Sequence, residues 1–331
     1  MSVVPRSLAG RWARWVAFVG QRETGECLAL FRIISGLALL ISIGVPAING
    51  LVDGFWVDLA YGGMRPLKPG WLVAALGGAT PATAWILVLS TLTAGVGLVL
   101  GVGGRVVALI AGQGLMALSG LNTHTRGSFD ALLINSLWLL VLAEPTVTLS
   151  LPCRYKTGKW TSHQLVAAWP RYLIIAQIGV LYFFTGLHKV SIYWTPAGGF
   201  SALYYILQQP SWQFTSMHWL ARVYPLTQLA TVLAWLFELT WPLMWLALYY
   251  RRHPERSGRL RGFFNRFRVR SIYAVVGLSM HVGIAMVMDV GPFTLVTLAF
   301  YPSLLRPSEV RLAARGVGAW LTRRRSGSST N

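Results

Sequence analysis

Charge is scarce in this chain. Only 12% of its 331 residues are Asp, Glu, Lys or Arg, and ten of those are acidic. A soluble domain of this length carries about 25%, so composition excludes an ordinary soluble enzyme. Cysteine is nearly missing too: Cys27 and Cys153 stand alone, too few for a disulfide framework and without metal-ligand spacing. There is no HExxH pair, no Gly-rich phosphate loop and no Gly-x-Ser-x-Gly elbow, which removes the commonest signatures of metalloproteases, nucleotide enzymes and serine hydrolases. The first 26 residues hold Arg6, Arg11, Arg14 and Arg22 but no short apolar core ending at a small-residue cleavage site, so no cleavable signal peptide is expected.

Apolar residues fill the gap, at 54% of the chain. They form runs long enough to cross a bilayer. The expected fold is all-α: a polytopic membrane helical bundle of about eight transmembrane helices. Its spans lie near 27–48, 81–102, 105–121, 129–150, 170–188, 223–250, 271–288 and 292–305. The third and last are short and suggest tilted, extended or re-entrant segments. "GVGG" at 101–104 separates two spans, and "DVGP" at 289–292 places Pro292 to start another helix. The organisation expected is a basic cytoplasmic segment at 1–26, a bundle at 27–305 and a basic, disordered cytoplasmic tail at 306–331.

The net charge of +19 reads as topology and lipid contact, with no nucleic acid as partner. With the N-terminus inside, 23 of the 29 Lys and Arg fall in cytoplasmic segments. Five fall outside, namely Arg65, Lys68, Arg126, Lys189 and Arg222, while Arg32 lies within the first span. That bias predicts both termini in the cytoplasm of a multi-pass cell-membrane protein, in bacterial inner-membrane style.

Polar groups inside such a bundle are costly and are therefore candidates for function. "LYFFTGLHKVSIYW" at 181–194 ends a span with Lys189, and Tyr182, Thr185 and Lys189 share a helical face by spacing. A helix-end lysine can snorkel to the interface. It can also serve as a base, since an amine part-buried among aromatics loses solvation and with it some of its hold on the proton. Arg32 sits in "LALFRIISG", open to headgroup pairing or an intramembrane structural role. Glu238 sits in "LAWLFELTWPLMWL" among Trp235, Trp241 and Trp245, where an interhelical hydrogen bond competes with a functional carboxyl. "LNTHTRGSFD" brings Asn122, His124, Arg126 and Asp130 to one short connection, and His281 lies mid-span in "GLSMHVGIAMVMDVG". On the expected topology most of these groups approach the outer half of the bundle. No metal is expected, and acid–base chemistry on a lipophilic molecule remains.

The stretch "YFFTGLHKVSIYW…GGFSALYYIL" resembles the surroundings of the catalytic lysine in vitamin K-dependent gamma-carboxylases and their bacterial HTTM (horizontally transferred transmembrane) domain relatives. Three further stretches match in order: "CLALFRIISGLALL", "LAWLFELTWPLMWL" and "MHVGIAMVMDVGPFTLVTLAFYP". Together they extend from about residue 27 to 305. The resemblance implies a carbon–carbon lyase that uses reduced vitamin K or menaquinol with O2 and CO2. Lys189 would deprotonate the quinol, and oxygen addition would create a base strong enough for a glutamate γ C–H. Asn122 and His124, from "NTH", would serve the quinone oxygen, with His124 counted beside Lys189 as catalytic. Tyr182, His281 and Arg126 would line the substrate site, while Glu238 and Arg32 would be structural.

The animal enzymes carry a large extracytoplasmic domain after the membrane part; the resemblance here covers the membrane part alone, so propeptide recognition of that kind is not expected. The partners expected are membrane lipids, a lipophilic quinone and a peptide or protein substrate. The alternative is a non-enzymatic membrane factor for maturation or export of a peptide, as in antimicrobial-peptide systems. A transporter fits less well, because no internal repeat is evident and intramembrane charge is sparse.

Overall fold

The computed structural model describes residues 8–252 and 257–313. The expectations for 1–7 and 314–331, including most of the basic tail, lie outside the described residues. The chain is helical, with one two-stranded ladder among the described residues. Among the described residues, six helices are long and apolar enough to cross a membrane: Glu26–Ile48, Pro81–Leu100, Gly104–Leu121, Trp169–His188, His218–Leu239 and Val269–Val287. Two shorter apolar helices, Ser128–Leu142 and Phe293–Leu304, accompany them. The chain divides within one helix into two compact units, one formed by 1–174 and 302–331, the other by 175–301.

In the first unit, α1 (Leu8–Val19) leads through β1 (Arg22–Thr24) to the long α2 (Glu26–Ile48). A connecting segment carries α3 (Val52–Trp56) and α4 (Trp71–Ala75), and α5 (Pro81–Leu100), α6 (Gly104–Leu121) and α7 (Ser128–Leu142) follow. α2 packs on α5, α5 on α6 and α6 on α7, and α2 closes on α7. Phe31, Leu39, Leu98, Leu115, Leu118, Leu133, Leu137 and Leu140 fill the middle of the bundle. Local chemistry sets the ends of α5. Thr80 accepts from the Thr83 N–H at 3.2 Å and Pro81 begins the first turn, while Gly101 in the left-handed region closes the last. α8 (Leu151–Thr157) and β2 (Leu165–Ala167) follow, with Glu23 opposite Val166 in the β1–β2 ladder.

The expected span 129–150 stops at Leu142. Ala143 turns to extended backbone ahead of Pro145, and Arg105 Nε donates to the Ala143 carbonyl at 3.0 Å.

In the second unit, α9 (Trp169–His188, here from residue 175) precedes a loop with α10 (Ala202–Leu207), then α11 (Tyr224–Leu239), α12 (Pro242–Arg252), α13 (Arg259–Arg266), α14 (Val269–Val287) and α15 (Phe293–Leu298). The expected continuous span 223–250 is broken between Leu239 and Pro242. A proline there has no N–H to donate, and its ring crowds the carbonyl four residues back. Tyr273 OH donates to the Thr240 carbonyl at 2.9 Å, beside the Leu243 N–H that the same carbonyl accepts at 2.9 Å, and so ties α14 to the break. The loop 190–222 folds onto its own unit. Leu207, Met217 and Leu220 form a buried cluster with Val287 and Met288, and Gln228 Nε2 donates to the Gly199 carbonyl at 2.6 Å.

Candidate functional site

Lys189 and Glu238, 49 residues apart, form an ion pair in the second unit. Their side chains are 16% and 8% exposed. Lys189 lies one residue beyond α9, and the Nζ sits 4.3 Å over the Trp194 ring, a cation–π contact between half-buried groups. The local fold explains the meeting. Gly186 allows α9 and α11 to approach so closely that a Cβ there would lie 2.8 Å from the Leu239 nitrogen and 3.0 Å from Glu238 Cβ. Trp235 Nε1 then donates to the Gly186 carbonyl at 3.2 Å. Glu238, expected as a structural carboxyl among tryptophans, is thus the direct partner of the expected base.

Beside this pair runs an open, apolar groove of about 570 Å³, lined by Val180, Leu181, Phe184, Thr185, His188 and Lys189. Its polar end is made by Lys189 and by His188, whose Nδ1 sits 2.7 Å from the Phe184 carbonyl. Thr185 is exposed to the groove, whereas Tyr182 is 4% exposed and faces inward. The shared face expected for Tyr182, Thr185 and Lys189 therefore splits into an inner and an outer side.

Tyr182 belongs to a second polar cluster. Its hydroxyl lies 2.5 Å from His281 Nε2 and 3.2 Å from Tyr301 OH. Phe237, Trp241 and Phe293 wall the group in. His281 is 1% exposed and Trp241 fully buried, and among the described residues neither His281 Nδ1 nor Trp241 Nε1 has a hydrogen-bond partner. Buried polar atoms of this kind cost about 1–3 kcal/mol each when left unmet. Tyr301, Trp194 and Gly186 were not singled out from the sequence. Trp194 was within reach, five residues after Lys189 in the same quoted stretch.

The remaining candidates belong to the first unit. Asn122 is buried, and its Nδ2 donates to the Phe55 carbonyl at 3.0 Å while its Oδ1 accepts from the His124 N–H at 3.1 Å. The His124 and Arg126 side chains are exposed. Arg32 is fully buried and donates to backbone carbonyls in place of headgroups: Pro145 at 3.0 Å, Leu149 at 2.5 Å and Leu98. These are carbonyls at the end of α5 and in the α7–α8 connection, so the arginine closes helix ends. Among the described residues no three His, Cys, Asp or Glu converge as a metal site. Compared with family models, curated proteins and solved structures, the chain matches none.

Proposed function

We propose that the protein is an integral-membrane enzyme similar to the vitamin K-dependent gamma-carboxylases, acting on a reduced quinone with Lys189 as the base. The observation carrying this reading is the place of Lys189: at the polar end of an apolar groove, paired with a buried carboxylate and capped by an indole. Groove and ligand chemistry fit. Val180, Leu181 and Phe184 would bed an isoprenoid chain, while Thr185, His188 and Lys189 would face the ring oxygens. When bound, a reduced quinone supplies an acidic O–H and, with O2, the reducing power for epoxidation.

The amine can take a proton only when the one it shares with Glu238 rests on the carboxyl. Glu238 then acts as a local proton store: Lys189 hands over its proton, and the freed Nζ accepts the one from the substrate O–H. The pair is neutral until that last transfer and carries +1 after it, balanced by the substrate oxyanion at Nζ, so the site with its substrate holds no uncompensated charge, which would be most costly in a low-dielectric setting. Trp194 steadies the ammonium form. Carboxylation of a peptide glutamate would add CO2 as co-substrate.

The same reading places eight spans in a bacterial inner membrane with both termini cytoplasmic. Its support is the two shorter apolar helices beside the six long ones and the 23 of 29 basic residues on the inner side of that map.

The test is purified protein in nanodiscs with reduced vitamin K or menaquinol and O2, epoxide being followed by mass spectrometry. Wild type should form epoxide, and Lys189→Ala and Lys189→Arg should not, because a guanidinium stays protonated. No epoxide from folded wild type with either quinol overturns the reading in favour of a peptide-handling membrane factor.

A further inference from the structure

α13 (Arg259–Arg266) has two unlike faces. On the inner one, Arg261 lies 4.9 Å over the Tyr250 ring and donates to the Tyr250 carbonyl at 2.9 Å. Phe264 meets the same ring edge-on at 5.3 Å. The outer face carries Leu260 and Phe263, 64% and 54% exposed, with Phe267 just beyond the helix at 53%. These three recur at i, i+3 and i+7 and so form one stripe, and the rings of Phe263 and Phe267 lie 4.7 Å apart. A contiguous exposed apolar stripe of this kind marks an interaction surface.

Two observations say what covers it. Arg259, Arg266 and Arg268 are exposed, in a segment, 251–270, that holds eight arginines and one acid, Glu255. The occupant is therefore anionic. Next, only Phe267 and Arg268 separate α13 from α14, a helix long and apolar enough to span a membrane. Two residues reach about 7 Å at most, and Arg268, in the left-handed region at φ 48°, turns the chain sharply between the two helices. α13 is thus tethered at the end of α14.

We infer that α13 is an interfacial helix that binds anionic phospholipid headgroups of the bilayer in which the chain sits. Leu260, Phe263 and Phe267 insert at the headgroup–acyl boundary, and Arg259, Arg266 and Arg268 engage phosphates. The surface is independent of any activity at Lys189.

Its test uses the full chain in nanodiscs, with Phe263→Cys carrying an environment-sensitive fluorophore. The native Cys27 and Cys153 are buried, so labelling of the unsubstituted chain gives the background. Replacing about one third of phosphatidylcholine by phosphatidylglycerol should shift emission to the blue. Each arginine changed to glutamine at 259, 266 or 268 should lower the ratio of buried to water-exposed label about fivefold in anionic discs. Salt near 1 M, where the Debye length is about 3 Å, should erase the shift in the arginine-intact protein, a control that needs no further variant to fold. Emission independent of lipid charge overturns the inference. So does a shift that follows the number of chains per disc, which would assign the stripe to a second copy of the chain.

Discussion

Exchanging Glu238 for alanine strands the Lys189 ammonium in a site where its side chain is 16% exposed. Breaking a buried pair by removing one partner costs about 3–5 kcal/mol. The residual exposure of Lys189 and the Trp194 ring at 4.3 Å both soften that loss, the ring by about 1 kcal/mol, so we expect about 2–4 kcal/mol for Glu238→Ala. Lys189→Ala should cost somewhat less, because a lone carboxyl can neutralise itself by taking up a proton. The double exchange, Lys189→Ala with Glu238→Ala, should cost less than the two single losses summed, since neither charge is left behind. The assay is reversible unfolding in mixed micelles, taken as a double-mutant cycle at neutral pH. A coupling energy of about 2 kcal/mol is expected, equivalent to roughly thirtyfold in the unfolding constant. Strict additivity would refute the pairing and with it the proton-store role given to Glu238. Lys189→Arg separates the two uses of the lysine: it preserves a cation for Glu238, so stability should stay within about 1 kcal/mol of wild type while epoxide formation is lost.

Three further predictions probe the frame around this site and the first unit. Arg32→Met should destabilise by at least about 3 kcal/mol, since it leaves buried carbonyls at Pro145, Leu98 and Leu149 without their charged donor; thermal unfolding in detergent checks it, and wild-type stability would show that the arginine does not close those ends. Gly186→Ala forces a Cβ to within 2.8 Å of the Leu239 nitrogen and should cost about 1–3 kcal/mol with loss of epoxide formation, whereas Gly283→Ala, which meets nothing within 4 Å, should be neutral or stabilising in the same assays. Asp58, in the connection between α2 and α5, accepts from the Leu67 N–H at 2.6 Å and the Ala60 N–H at 2.9 Å, and these bonds hold its carboxyl below the usual carboxylate range. A depressed folded value contributes stability above the unfolded pKa of about 3.9 and loses it as pH falls through the folded value, so exchange protection at Ala60 and Leu67 should fade in acid relative to Ala74, and Asp58→Asn should abolish that pH dependence.

The helices were legible because membrane burial writes itself into long apolar runs, and Gly101–Gly104 marked a turn that the backbone takes at positive φ. Helix ends were harder. Hydropathy runs unbroken through "LTWPLMWL", yet a missing N–H at Pro242, not polarity, stops α11. The ion pair was invisible for a different reason. Lys189 and Glu238 each looked like a solitary cost, and only the close approach at Gly186 joins them. Tyr182 shows the limit of helical periodicity: it and Thr185 differ by about 60° around the axis, which is enough to put one in the packed interior and the other in the groove.

The buried cations separate by what they hold. Among the described hydrogen bonds, Arg32 donates to backbone carbonyls alone, and Arg171 divides its guanidinium between the Glu23 carboxylate, at 2.5 and 2.8 Å, and the Ser303 carbonyl at 2.9 Å. Both serve backbone that the helices leave uncovered, a need that does not vanish if the chemistry does. Lys189 is different. Among the described hydrogen bonds its Nζ reaches one carboxylate and no carbonyl, so the backbone does not require it, and a well-packed apolar pair could replace both charges at little cost in stability. A buried pair that folding does not need, set at the polar end of an apolar groove of about 570 Å³, suits the proton-moving role proposed for it.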